Sequence, residues 1–331
     1  MSDRIPESPP VIQPVSKEIK QPLWSVMIPS YNCAKYITKT LESVLIQDPG
    51  KEKMQIEVVD DCSTDEVEKI VNETGKGRVS FYRQPYNRGS LRNFETCLNR
   101  SCGKYIHLLH GDDFVEPGFY KEIEKLFDAY PDAGAACTGF WHVDDNDDVI
   151  YQKHANIAKE PGLLKNWLVR IAQGQKLQPP SVVVKRSVYE QIGGYFGMHY
   201  GEDWLMWVRI AKDYPFAYTP LPLARYRIHE DNNITALSFK SGQHIKDIEK
   251  AIDLIQNYLP NGQKRRLKKI AKKNWSLYFA ETSHLVYYRY NNPTQATQQA
   301  ARAFKLNMNT ATFFNLLKYT IKLFLNKVRL H

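Results

Sequence analysis

The sequence predicts an α/β protein with a helix-covered parallel sheet, a mixed second stretch and a helical C-terminal region. Two patterns carry this reading. Between residues 23 and 110, short apolar runs alternate with segments in which apolar residues recur at helical spacing, and beyond about residue 240 only the helical period remains. Composition agrees with it: 43% hydrophobic and 24% charged residues over 331 positions are globular values. They suffice for one large or two ordinary domains and exclude a disordered, collagen-like or disulfide-scaffold chain.

The elements follow in order. Residues 1–22 hold five prolines and little apolar material, and a flexible leader is expected there. LWSVMIP (23–29) makes a strand, and 34–47 a helix with Ile37, Leu41, Val44 and Leu45 on one face. QIEVVD (55–60) is the second strand. A helix at 65–73, opened by the capping cluster Asp61, Ser63 and Thr64, leads to a third strand at 78–83. A helix at 90–101 and the strand KYIHLLH (104–110) complete the alternation expected of a parallel sheet. From 116 to 235 the pattern is mixed: a helix at 117–130, a strand at 133–140, a hairpin over Asp144–Asp148, a strand at 182–185 and a helix at 203–214. Helices then run to the end, broken at Pro260-Asn261-Gly262 and Asn291-Asn292-Pro293.

Charge divides the chain in the same place. The formal net charge is +9, but residues 1–239 hold 28 basic and 32 acidic side chains while 240–331 hold 17 and 4. The larger part therefore lacks the positive field that a nucleic-acid enzyme places around its cleft. Cys33, Cys62, Cys97, Cys102 and Cys137 are odd in number and form no C-x-x-C, which suits a reducing compartment. The first 22 residues have no apolar core and no run of 18 apolar residues occurs, so neither a signal peptide nor a membrane span is expected, and the cytoplasm is the expected location.

In an open parallel sheet, ligands bind beyond the carboxyl ends of the strands. Those ends read Pro29-Ser30-Tyr31-Asn32, Asp60-Asp61-Cys62-Ser63-Thr64-Asp65 and His110-Gly111-Asp112-Asp113. Neither G-x-G-x-x-G after the first strand nor G-x-x-x-x-G-K-[ST] anywhere is present, which excludes the usual dinucleotide and P-loop sites. An aromatic and carboxylates instead suggest side chains that grip a base and ribose. Asp65 reads as a cap, and Asp60-Asp61 as either a turn or a binding pair. Asp112-Asp113 calls for a compensating cation, because adjacent like charges repel. Asp144-Asp145-Asn146-Asp147-Asp148 resembles a calcium loop, but Val149 and Ala155 stand where its Gly and Glu belong, so an exposed hairpin tip is expected.

The segments SVMIPSYNCAKYITKTLESVLIQ, IEVVDDCSTDEVEKIV, NRGSLRNFETCLNRSCGKYIHLLHGDDF, GEDWLMWVRIA and YRIHEDNN together resemble the inverting family-two glycosyltransferases of the GT-A fold, over roughly residues 23 to 235. The resemblance implies a Rossmann-like nucleotide-binding half (23–115) and a mixed-sheet acceptor half (116–239), and the helical pattern that follows makes 240–331 a C-terminal helical extension. It assigns nucleotide binding to Pro29, Tyr31, Asp61, Arg92 and Asp112: Tyr31 stacks on the base and Asp61 accepts the imide N–H of uracil or thymine. Arg92 reads equally as a surface helix residue. Asp113 and His229 match ligands of Mn²⁺ or Mg²⁺ on the diphosphate. Asp203 matches the catalytic base, and its place at a helix N-terminus is expected to lower its pKa and keep it ionised. Ser181, Glu202 and Trp204 fall where an acceptor rests, although Glu202 can also cap the helix and Trp204 can also be core.

The implied activity is metal-dependent transfer from a UDP or dTDP sugar to a glycan or lipid-linked acceptor in cell-surface polysaccharide synthesis, with no nucleic-acid partner. An inactive nucleotide- or glycan-binding module is the second reading, and a sugar nucleotidyltransferase the third. The +13 region, 263–331 above all, ends in an amphipathic segment from 311 to 331. That segment can lie on an anionic membrane or pack onto the rest of the protein.

Overall fold

The computed structural model describes residues 4–151, 157–229 and 234–329. Met1 to Asp3, Ala155, the Glu230–Asn233 end of the last quoted motif, and Leu330 and His331 lie outside them. The elements are β1 (Trp24–Ser30), α1 (Ile37–Leu45), β2 (Met54–Asp60), α2 (Val67–Gly75), β3 (Ser80–Arg83), α3 (Ser90–Arg100), β4 (Tyr105–Leu108), β5 (Phe114–Val115), α4 (Phe119–Ala129), β6 (Ala135–Val143), β7 (Val149–Tyr151), β8 (Gly162–Leu163), α5 (Trp167–Ile171), β9 (Val182–Lys185), α6 (Arg186–Ile192), α7 (Glu202–Asp213), β10 (Phe216–Arg227), α8 (Ile234–Ser241), α9 (Gln243–Ile255), α10 (Lys264–Tyr288), α11 (Pro293–Leu306) and α12 (Thr310–Arg329). They divide into two compact units. The first comprises Met1–Trp167, Lys176–Gly197 and Arg209–Ile228; the second comprises Leu168–Gln175, Met198–Val208 and His229–His331.

The first unit is built on one sheet, ordered β3-β2-β1-β4-β9-β6-β10-β5, with β7 paired to β6 and β8 to β10. β3, β2, β1 and β4 run parallel, as the strand and helix alternation requires. β1 is buried along its whole length, so it reads as a continuous apolar run. The second stretch breaks the parallel rule: β9 lies antiparallel between β4 and β6. Tyr105, Ile123, Phe127, Val183 and Ala217 join residues of both halves in one core.

β10 has no counterpart among the strands that the sequence announces. Phe216–Arg227 carries Pro220 and Pro222, which cannot donate to a ladder. The structure accommodates them at register shifts between Thr219 and Pro222 and between Pro222 and Ala224. Bulged in this way, the strand spans the whole of β6.

The expected flexible leader is corrected. Ile12 is 1% exposed, Gly197 N–H donates to Pro6 O at 2.9 Å, and Gly194 N–H donates to Pro10 O at 2.8 Å. Burial of one apolar side chain and backbone pairing anchor a segment whose prolines had suggested disorder.

The second unit is helical. Phe239, Val286, Ala296, Ala300 and Tyr319 form a core to which α8, α10, α11 and α12 contribute. Asn292 caps α11 by accepting the Gln295 N–H at 3.0 Å. α12 turns Thr312 and Tyr319 inward and leaves Phe313, Phe314, Leu317, Ile321, Phe324 and Leu325 exposed. No helix among the described residues is long and apolar enough to cross a membrane.

Candidate active site

The ends of β1 and β2 are laced together before any ligand is considered. Asp61 N–H donates to Ser30 O at 2.8 Å, and Asn32 N–H donates to Ser63 Oγ at 2.8 Å. Thr64 N–H returns a bond to Asn32 Oδ1 at 2.9 Å. Asn32 and Cys62 adopt φ of 53° and 61°, a left-handed backbone that turns each strand end sharply. Asp60 is consumed internally: its carboxylate accepts from Ser63 N–H at 3.0 Å and from the Ser63 hydroxyl. Asp65 accepts the Ala34 N–H at 2.8 Å, so it ties down the entry to α1 in addition to a 3.4 Å bond from Val67 N–H.

Asp61 is differently placed. It is 3% exposed, and its two oxygens accept the backbone N–H groups of Arg88 at 2.7 Å and Gly89 at 2.8 Å. Burial raises its pKa, while these two N–H groups and then Arg4 act in the opposite direction. Tyr31 keeps 48% of its surface exposed, leaving its ring face available for stacking. Pro29 is buried inside β1, where its carbonyl accepts the Gly111 N–H at 3.1 Å. Arg92 donates to Glu95 on the same helix at 2.8 Å.

Beyond β4, His110, Asp112 and Asp113 bring one ligand atom each to within 4.8 Å of one another. Asp113 is 1% exposed and its Oδ1 accepts the Arg227 N–H at 2.8 Å. Arg227 Nε donates to Asp112 O at 2.8 Å, and its guanidinium reaches Asp144 O and Asp147 Oδ1. Its charge also lies 4.7 Å from the centre of the Tyr36 ring. One buried arginine therefore fastens the acidic motif to the β6–β7 hairpin tip, whose turn closes through Asp144 Oδ1 and the N–H groups of Asn146 and Asp148.

His110 stacks on Phe94 at 5.2 Å, and burial lowers its pKa, so the ring is neutral and keeps a lone pair. Its Nε2 is buried with no hydrogen-bond partner. Two carboxylates and such a nitrogen fit a divalent cation of intermediate hardness. Among the described residues, His229 is not part of this grouping.

In the second unit, Asp203 opens α7 with Glu202. Atoms crowd both carboxyls although each residue keeps a partly exposed face, and Asp203 Oδ1 is buried without a hydrogen-bond partner. Burial raises the Asp203 pKa to about 7, and burial together with the Asp203 charge raises Glu202 as well. The expected lowering by the helix N-terminus is therefore corrected: desolvation outweighs the dipole here.

Two acceptor expectations also change. Trp204 is 0% exposed, donates its indole N–H to Ile171 O at 2.6 Å and packs against Trp275, so it is a core aromatic. Ser181, likewise 0% exposed, donates its hydroxyl to Gln178 O at 2.7 Å and closes its own turn.

Residues 25–193, half of the chain, match the family described as Glycosyl transferase family 2. The chain belongs to that family. Among relatives, an uncharacterized glycosyltransferase of Haemophilus influenzae is 23% identical over 243 residues, 69% of this chain and 72% of the relative. Chondroitin synthase of Escherichia coli is 33% identical over 148 residues, 44% of this chain and 19% of that enzyme. The chain spans 36% of the length of the Mycoplasma genitalium glycosyltransferase that it matches. Of solved structures, Staphylococcus aureus TarS 1–349 with UDP-GlcNAc superposes with a TM-score of 0.63 at 20% identity, covering 86% of this chain and 81% of that one. A mannosyltransferase of Pyrobaculum calidifontis, with GDP-Man and Mn2+, gives 0.52 at 17% identity, covering 95% and 90%. The GT-A architecture with a helical extension is thereby established.

The part of this family 2 member that matches contains Tyr31, Asp61, Arg92, Asp112, Asp113 and Ser181, and ends before Asp203 and His229. Two site residues had no expected role. His110 was legible as the neighbour of the paired aspartates. Arg227 was not, because its acidic-motif and hairpin partners lie 80 or more residues away in sequence.

Proposed function

We propose that the protein is a metal-dependent inverting glycosyltransferase that uses a nucleoside diphosphate sugar, with UDP or dTDP as the preferred carrier. The observation that supports it best is the grouping of His110, Asp112 and Asp113 beyond β4, on the same sheet edge as Tyr31 and Asp61. Tyr31 offers a ring face to the base. Asp61, ionised, accepts the imide N–H that uracil and thymine have and cytosine lacks. Asp113, with His110 or His229 as nitrogen ligand, would hold a divalent cation, and Asp112 would face the ribose or sugar; the cation would neutralise charge on the departing diphosphate.

Asp203 is the proposed base. It takes the proton of the acceptor hydroxyl as that oxygen bonds to the anomeric carbon. The bond to the diphosphate breaks on the opposite face, and the nucleoside diphosphate leaves with the electron pair. A pKa near 7 suits this task, since such a base is partly ionised at neutral pH and still basic enough to accept the proton. Arg92 and Glu202 complete the proposal, at the nucleotide and the acceptor respectively.

The acceptor is proposed to be a glycan or a lipid-linked glycan of a cell-surface polysaccharide. The activities by which the relatives TarS, a poly(ribitol-phosphate) β-N-acetylglucosaminyltransferase, and chondroitin synthase are named support this class. A cytoplasmic location with peripheral attachment to an anionic membrane fits the basic helical region and the exposed apolar face of α12.

A screen of nucleotide sugars for hydrolysis and transfer, with Mn²⁺ or with a chelator, tests the proposal. Chelation abolishes turnover, and Asp113→Ala and Asp203→Asn each lower it by about two orders of magnitude or more. Unchanged turnover in both variants means that the site is misplaced.

A further inference from the structure

We propose that Arg4, delivered by an N-terminal strap, is a positioning residue of the donor site: it holds the Asn87–Gly89 turn against Asp61 and thereby tightens nucleotide binding. The proposal rests on the reading of Asp61 given above and concerns a segment that lies outside the family match.

The strap follows a fixed path. Besides the bonds from Gly197 to Pro6 and from Gly194 to Pro10, Gln13 N–H donates to Asn99 Oδ1 at 2.9 Å, and Arg186 Nη2 donates to Gln13 O at 2.7 Å. Its seat is cut to fit. A Cβ on Gly193, where φ is +77°, would stand 2.8 Å from Pro10 O and 2.9 Å from Pro9 Cβ; one on Gly194 would stand 3.0 Å from Pro10 Cγ. Only a glycine pair lets the two backbones approach so closely. With Ile12 buried and the prolines restricting the backbone, little freedom remains for the residues that lead to Arg4.

Arg4 arrives on the turn that shapes the base-binding carboxylate. Its side chain runs along Gly89 so closely that a Cβ there would lie 3.0 Å from Arg4 Nε. Its guanidinium donates to Asn87 Oδ1, and Asn87 Nδ2 in turn donates to Asp61 O at 3.0 Å. The next two N–H groups, of Arg88 and Gly89, are those that the Asp61 carboxylate accepts. A cation in this place also opposes burial and the Asp60 charge, both of which favour a protonated Asp61 that could no longer accept two N–H bonds and an imide together.

Titration of the full-length protein with UDP in the presence of Mn²⁺, alongside steady-state kinetics, tests this. Arg4→Ala is expected to raise the UDP Kd and the donor KM roughly tenfold with kcat unchanged. Arg4→Lys recovers part of the loss. Because Arg4 is exposed, the melting temperature stays within about 2 °C. The pH below which UDP binding fails also moves upward in Arg4→Ala, which a merely structural contact would not produce. Wild-type affinity in Arg4→Ala overturns this inference alone. Failure of the wild-type protein to bind UDP or dTDP overturns the reading of Asp61, and this inference with it.

Discussion

At the scale of single residues, Asp203 shows how a site can be placed by sequence while its charge state is not. The motif and its position at the start of a helix were readable, and the helix position bears on ionisation in the direction of a low pKa. Burial, which raises it to about 7, is set by packing that the local sequence does not show. Activity should therefore fall on the acid side as Asp203 protonates, with kcat/KM dropping about tenfold per pH unit below roughly 6.5. A pH–rate profile that stays flat to pH 5 would remove Asp203 from the role of base. Stability carries a second signature. Since the folded pKa lies above the usual value near 4, the favourable contribution is fully present below pH 4 and is lost as pH rises through 7. Asp203→Asn is accordingly expected to melt higher than wild type at pH 8 and equally at pH 4, as differential scanning fluorimetry can measure.

Elements differ in how openly the sequence declares them. β1, β2 and β4 were legible because burial on both faces leaves nearly continuous apolar runs, whereas β3, which has no buried residue, was legible only from the strand and helix alternation around it. β10 was hidden by two prolines whose cost disappears at bulges, and bulges have no signature in one sequence. α12 was legible as amphipathic, but not which face would be covered. At 100° per residue, Phe313, Phe314, Leu317, Ile321, Phe324 and Leu325 occupy an arc of about 120° on the side away from Thr312 and Tyr319. Lys318 and Lys322 flank this arc and Thr310–Arg329 contains no acidic residue, so an anionic lipid surface would attract the helix. Flotation should recover the full-length protein with vesicles containing phosphatidylglycerol and not with pure phosphatidylcholine, and Leu317→Asp combined with Phe324→Asp should abolish recovery. Equal recovery of the variant would dismiss α12 as the contact.

At the scale of the whole molecule, the sheet unit extends beyond its recognisable motifs in both directions. The strap around Ile12 precedes them, and its prolines looked like disorder because a docking seat built from Gly193 and Gly194 is invisible in composition. Ile12→Ala is expected to cost about 2–4 kcal/mol, seen as a lower denaturation midpoint with an unchanged slope. A neutral result would return the segment to the status of a tail. The insertion of β9 between β4 and β6 bears on how the chain is made. β4 ends at Leu108, whereas its antiparallel neighbour begins at Val182, so at about 5–20 residues per second a ribosome takes several seconds to supply the missing strand. Throughout that interval the apolar edge of β4 is an open template for pairing with another nascent chain. The protein should therefore depend on chaperones during synthesis far more than its finished sheet, with β9 in place, suggests.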